Sequence, residues 1–153
     1  MISHRGNIEG PEPEKENSPS SVDLAVAMGF DVEIDLRVNG SGEIGLGHDE
    51  LQYRIEANWL HDRKAKLWVH CKTPDAIDLS HELGLNYFFH HSDKYTLTSQ
   101  GFVWVFPGER PVGKSVVLDV DHFPRLDTAD LGETWGVCTD WPNDLKFLMG
   151  TKY

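Results

Sequence analysis

Short strand-like runs alternate with short helix-like segments along the first half of the chain, and this order constrains the fold more than any single residue does. A first strand ends at His4-Arg5-Gly6, and a helix over 22–28, capped by Ser20 or Ser21, leads to a strand over 30–38. Further strands are predicted over 44–46, 66–72 and 86–90, and further helices over 52–64 and 73–83. Such alternation favours an α/β protein with a mainly parallel sheet.

The length of the chain limits how complete such a sheet can be. A full eight-stranded barrel of this class usually needs about 250 residues and at least about 200, whereas this sequence has 153. The second half adds strands over 96–106, 115–120 and 136–139, with at most one helical turn at 129–132 and a final helix over 143–149. We therefore predict one α/β domain over 1–153, a compressed or incomplete TIM-type (β/α) barrel with several later helices missing.

The composition of the chain limits which binding partners and which cellular compartment we expect. The formal net charge is −11, which repels a nucleic-acid backbone, so nucleic acid is not an expected partner, and an anionic ligand needs local cations. No run approaches the ~18 apolar residues of a membrane span, and no signal-peptide pattern opens the sequence, so a cytoplasmic location is expected. The two cysteines, Cys71 and Cys138, lie in apolar strand-like runs and are predicted to be buried free thiols.

Polar residues gather where the early strands end, which is where barrel enzymes place their active sites. Histidines suit acid–base work near neutral pH, paired carboxylates on one strand face suit a divalent cation, and Arg or Lys suits a phosphate. Each element alone is weak, because a lone His at a strand end is more often structural or merely polar and a Glu-x-Asp pair is more often part of a solvated strand face. The residues in question are His4, Arg5, Glu33, Asp35, His48, Asp49, His70 and Lys72.

Taken in order, four N-terminal motifs resemble the signature of the glycerophosphodiester phosphodiesterases, in the phospholipase-C-like group of TIM barrels. A fifth, local similarity to the family's closing strand lies at 136–142, with the sequence Gly-Val-Cys-Thr-Asp-Trp-Pro. The ordered combination is far more specific than any one motif. The four motifs are His4-Arg5-Gly6, Glu16-Asn17-Ser18, Val32-Glu33-Ile34-Asp35 and Gly47-His48-Asp49.

The resemblance implies a metal-assisted phosphoric diester hydrolase acting on a small anionic glycerophosphodiester-like substrate. His4 and His48 match the family's catalytic histidines, and Arg5 matches a phosphate-contacting arginine. In the family, a neighbouring hydroxyl of the substrate attacks phosphorus and gives a cyclic phosphate. Glu33 and Asp35 match metal ligands, Lys72 is a second phosphate-binding cation, and Glu16 and Asp49 are supporting residues.

One departure from the family pattern falls on the third strand. The family usually carries Glu two residues before the Lys, but this chain has His70 before Lys72. The predicted ligand set is then Glu33, Asp35 and His70, around Mg²⁺, Mn²⁺ or Ca²⁺. Because imidazole favours borderline ions, stronger activation by Mn²⁺ than by Ca²⁺ is expected.

The presence of His70 in place of the family's carboxylate is also compatible with a second function. A catalytically weak or inactive relative would use these residues to bind a phosphorylated sugar or a lipid headgroup. Missing outer helices would also leave apolar sheet exposed, which a homo-oligomer could cover.

Overall fold

A computed structural model describes residues 1–121 and 134–150 of the chain. Its strands are β1 (Ile2–His4), β2 (Asp31–Val38), β3 (Ile44–Leu46), β4 (Tyr53–Arg54), β5 (Leu67–Cys71), β6 (Asn86–Phe88), β7 (Tyr95–Leu97), β8 (Val103–Val105), β9 (Ser115–Asp119) and β10 (Gly136–Thr139). Its helices are α1 (Pro19–Ala27), α2 (Ala57–Arg63), α3 (Pro74–Glu82) and α4 (Pro142–Gly150). No described helix is long and apolar enough to cross a membrane.

The strands form one mixed, curled sheet. Among the described residues, parallel pairs join β6, β5, β2, β1, β10, β9 and β8 in that spatial order. The antiparallel strands β3 and β7 pair with β2 and β8. The two ends of the parallel series approach each other, since the Phe88 ring stacks on Trp104 at 4.5 Å. An incomplete barrel, as the sequence predicts, is compatible with this topology.

Alternation along the strands separates two packed layers. On β5, Val69 and the other odd-numbered residues face a core shared with α1, α2 and α3, whereas Trp68 faces the inside of the curl. On β2, Ile34 and its even-numbered neighbours join that outer core. The residues between them, Glu33 and Asp35, are therefore directed to the inner side of the sheet. Cys71 and Cys138 are buried and free, as predicted.

The fold is shortened at the connection between β8 and β9. These parallel neighbours are joined by residues 106–114, which contain no helix, although a parallel crossover ordinarily takes a dozen or more residues. After α3, the described part of the chain has one helix, α4. The helical turn predicted at 129–132 lies outside the described residues.

Two sequence predictions of local structure are wrong. The segment predicted as one helix over 52–64 begins with β4, because Tyr53 pairs with Leu46 of β3, and α2 starts only at Ala57. Helix α1 begins at Pro19 instead of residue 22. Ser18 caps it by accepting a bond from the Ser21 N–H, and Pro suits the first helical turn because it has no N–H to satisfy.

Candidate active site

The predicted site residues meet at the carboxyl ends of the parallel strands. A pocket of about 180 Å³ opens there, between the ends of β1, β2, β5, β8 and β9. Five of the eight histidines of the chain line it. Its lining residues are His4, Arg5, Glu33, His48, His70, Lys72, His90, His91, Trp104, Phe106 and Leu118.

Three side chains in this pocket form a ligand set of the kind that holds a metal ion. One ligand atom each from Glu33, Asp35 and His70 lies within 4.8 Å of the others. The parallel register explains the meeting, because Asp35 on β2 lies directly beside His70 on β5. Glu33 Oε2 and Asp35 Oδ1 are buried without a hydrogen-bond donor in the described chain. Buried carboxylate oxygens in that condition call for a cation, so these residues fit a divalent metal.

The two buried carboxylates, Glu33 and Asp35, have pKa values that are shifted in opposite directions. Burial and the nearby charge of Asp35 together raise the pKa of Glu33 to about 7, against the opposing charges of His4, Arg5 and Lys72. Burial also acts to raise the pKa of Asp35, but the Arg5 guanidinium and a hydrogen bond from Asn17 outweigh it and hold that pKa below its usual range. At neutral pH Asp35 is thus a fixed anion, whereas Glu33 exchanges its proton.

His70 is held as a neutral imidazole. Burial lowers its pKa to about 3, against the attraction of Asp35. Its Nε2 lies 3.4 Å from the His90 carbonyl oxygen. Its ring contacts those of Phe88 and His90, with centroids at 4.9 and 4.6 Å, in a cluster of three near-parallel rings. A bond from the Nε2–H to that carbonyl leaves the lone pair on Nδ1, 3.4 Å from Asp35 Oδ1. A neutral ring with this tautomer is suited to metal ligation.

His4 is hydrogen-bonded to a residue near the other end of the chain. Its Nδ1 lies 2.8 Å from Asp140 Oδ1, and its Nε2 lies 3.9 Å from Glu33 Oε2. Burial acts to lower the pKa of His4, but the hydrogen bond to Asp140 and the charge of Glu33 prevail and raise it. Asn7 also donates to Asp140, at 2.7 Å. His4 is thereby oriented and favoured in its protonated form.

Arg5 is fixed by a loop that folds back against β2. Its Nη1 donates to Glu16 at 3.0 Å, and its Nε lies 2.9 Å from Asp35 Oδ2. Asn17 donates to Asp35 Oδ2 at 2.9 Å, and its side-chain oxygen accepts the Asp35 N–H at 2.8 Å. Both Arg5 and Asn17 have positive φ, 55° and 62°, a left-handed conformation that is uncommon for a non-glycine residue other than Asn and that recurs at functional sites. On the other side, Lys72 Nζ is 3.7 Å from Asp35 Oδ1.

His48 stands at the rim of the pocket. Its side chain is 44% exposed, and its Nδ1 lies 2.8 Å from Asp49, which is itself almost fully exposed. Arg37 holds the backbone of this loop through the carbonyls of Gly47 and His48. Gly47 has φ 153°, and a Cβ there would collide with the Glu50 carbonyl. The backbone of His48 is thus fixed, and its side chain is partly exposed at the rim.

The comparisons with known proteins support the fold. No family model and no curated protein matches the sequence. A glycerophosphodiester phosphodiesterase from Parabacteroides distasonis ATCC 8503 superposes with a TM-score of 0.66 at 12% identity, over 99% of this chain and 97% of the other. The fold is that of a glycerophosphodiester phosphodiesterase. A second such enzyme, from Agrobacterium tumefaciens str. C58, gives 0.58 at 15% identity, over 93% and 96%.

The resemblance seen in the motifs is thus confirmed at the level of the glycerophosphodiester phosphodiesterase fold. Two residues of the site that are absent from the predicted set are Asp140 and His90. Asp140 lies in the closing motif at 136–142, so the signal for it is present in the sequence. His90 follows β6 and is connected to the site by its ring, which stacks on His70, and by its carbonyl oxygen, which lies 3.4 Å from His70 Nε2.

Proposed function

We propose that this protein, as one domain over 1–153, hydrolyses a phosphodiester of the glycerophosphodiester class with the help of a divalent metal ion. The observation that carries the proposal is the pair of buried, donor-free oxygens on Glu33 and Asp35, beside a pocket that is lined by five histidines and by the cations Arg5 and Lys72. The fold shared with two glycerophosphodiester phosphodiesterases supports it.

Glu33, Asp35 and His70 would hold the metal ion. When bound, such an ion polarises a phosphoryl oxygen and offsets the negative charge that develops there. Arg5 and Lys72 flank Asp35 on opposite oxygens. They contribute positive charge for the phosphate beside the metal ligands, Arg through its planar fork and Lys as a point charge.

The two histidines would move the protons. We assign His4 as the proton donor, because its raised pKa favours the imidazolium form and Asp140 holds its Nδ1. His48 would accept the proton of the attacking hydroxyl, which belongs either to water or to the substrate. In the second case the product of this step is a cyclic phosphate, and water then opens it to complete the hydrolysis. One P–O bond forms to that hydroxyl oxygen while the P–O bond to the leaving alcohol breaks, and His4 gives its proton to the departing oxygen.

Hydrolysis of glycerophosphodiesters and of bis(p-nitrophenyl) phosphate tests the proposal, with Mg²⁺, Ca²⁺, Mn²⁺ or EDTA present. We expect turnover that depends on the metal and is lost in Asp35→Asn. The control is Asp62→Asn, an exposed carboxylate on α2. Turnover that persists in EDTA and in Asp35→Asn would contradict the metal-assisted function.

A ligand-binding role without catalysis is the second candidate, and the presence of His70 where the family has a carboxylate favours it. Calorimetric titration with glycerol 3-phosphate separates the two. Binding at a metal-loaded site with no turnover of any diester would support the binding role in place of hydrolysis.

A further inference from the structure

The space around the candidate phosphate site has two chemically different sides. A second pocket, of about 360 Å³, adjoins the histidine-lined pocket, and Arg5 and His48 line both. The cations and histidines that would hold a phosphate thus lie between two different surroundings. A diester has two alcohol substituents, so each side has one substituent to receive.

The residues that line the 360 Å³ pocket are mostly polar. Apart from Pro13, they carry charged, amide or imidazole side chains, among them Glu16, Asn17, Glu50 and Gln52. Hydrogen-bond acceptors and donors of this kind suit an alcohol that carries further hydroxyl groups, such as glycerol.

The opposite wall is apolar. Trp104 is buried against Phe88, and Leu118 of β9 is half-buried beside it. Phe106 follows β8, is held by a bond from its N–H to the Lys94 carbonyl at 2.9 Å, and is still 47% exposed. Phe89, at 38% exposure, packs edge-on against His91, which also lines this pocket. An apolar substituent would cover this surface.

We infer that the substrate is an amphiphilic phosphodiester. Its polyol substituent lies on the Glu16–Gln52 side, and an alkyl or aryl substituent lies on the wall formed by Trp104, Phe106 and Leu118. This rests on the proposed function and adds to it the substrate class, with Phe106 as a specificity-determining residue.

A series of glycerophosphodiesters with methyl, butyl and hexyl esters tests the inference, because these chains are short enough to remain monomeric. A buried methylene is worth about 0.8 kcal/mol, so kcat/KM should rise by up to about fourfold per methylene that contacts the wall. In Phe106→Ser the ratio of hexyl to methyl kcat/KM should fall at least tenfold, and Phe106→Leu should restore most of it. Leu24→Ser, an exposed apolar residue on α1, is the matched control.

The experiment distinguishes a failure of this inference from a failure of the proposed function. Equal kcat/KM for all three esters, or an unchanged ratio in Phe106→Ser, would overturn the inference while hydrolysis stands. If no ester is hydrolysed, the proposed function fails. The same series is then measured by calorimetric binding, where affinity that rises with chain length and depends on Phe106 supports the amphiphile, and a flat series overturns it.

Discussion

Replacing Glu33 by Gln should stabilise the metal-free protein, and only at the higher pH values. Glu33 is fully buried, and its pKa rises from 4.5 to about 7 on folding. Below pH 4.5 both the folded and the unfolded chain hold the proton. As the pH rises towards 7, the unfolded chain releases it first, so the free energy of unfolding of the wild type falls, and the loss is complete above about pH 8.

The size of the effect follows from the pKa change. At 1.36 kcal/mol per pKa unit, burial of this carboxylate costs the folded state ~3 kcal/mol at high pH. Of this, ~2–3 kcal/mol is lost between pH 5 and pH 8. Gln keeps the shape and cannot ionise. In a chain of about 150 residues the gain corresponds to a rise in Tm of roughly 5–10 °C.

Urea unfolding in EDTA at pH 5 and pH 8 provides the assay. The stability difference between Glu33→Gln and wild type should grow by ~2–3 kcal/mol from the lower to the higher pH, since groups remote from Glu33 titrate alike in both proteins. Glu56→Gln, an exposed carboxylate before α2, should show no such change. A Glu33→Gln variant that is no more stable than wild type at pH 8, or equally so at both pH values, would refute the reasoning.

Further predictions concern the histidines and their partners. His4→Ala and His48→Ala should each lower kcat by about 100-fold or more with little loss of stability, measured by steady-state kinetics and thermal unfolding. His70→Glu should shift calorimetric affinity from Mn²⁺ towards Mg²⁺ and Ca²⁺, since a carboxylate replaces an imidazole. Asp140→Asn should lower the pKa of His4, because it removes the anion that stabilises the imidazolium, and NMR titration of the His4 ring would show it.

Exposed histidines supply the controls for these variants. His61→Ala on α2 should leave kcat unchanged, and His81→Glu on α3 should leave metal affinity unchanged. Wild-type turnover in His4→Ala or His48→Ala would exclude the two-histidine mechanism. If wild type and His70→Glu show the same ion preference, His70 is not a metal ligand. If the pKa of His4 is unchanged in Asp140→Asn, Asp140 does not stabilise the protonated form of His4.

The strand pattern of the sequence predicts the positions that matter most for the site. On β2 the apolar residues alternate with Glu33 and Asp35, so a period of two is enough to place both carboxylates on one face. The predicted helix over 52–64 is wrong because Tyr53 and Arg54 pair with β3. That pairing depends on tertiary context, which a weak local pattern does not contain.

The contacts within the site are predicted less completely, because they join residues that are far apart along the chain. Asp140 contacts His4 across 136 positions, and Asn7 contacts Asp140 across 133. The local pattern of apolar and polar residues contains no information about such contacts. The stacking of His70 on His90 depends on where β6 ends, and the sequence pattern extends that strand to residue 90 whereas the structure ends it at Phe88.

The pairing of β1 with both β2 and β10 has a consequence for folding during synthesis. The β2 side of β1 can form once residue 33 has been made, but the β10 side must wait for residues 138 and 139. Contacts of such high sequence separation slow folding, and the unpaired edge of β1 stays open to other chains in the interval. His4 acquires its contact with Asp140 only in the last step, so we expect partly synthesised chains to lack the contact that orients this proton donor.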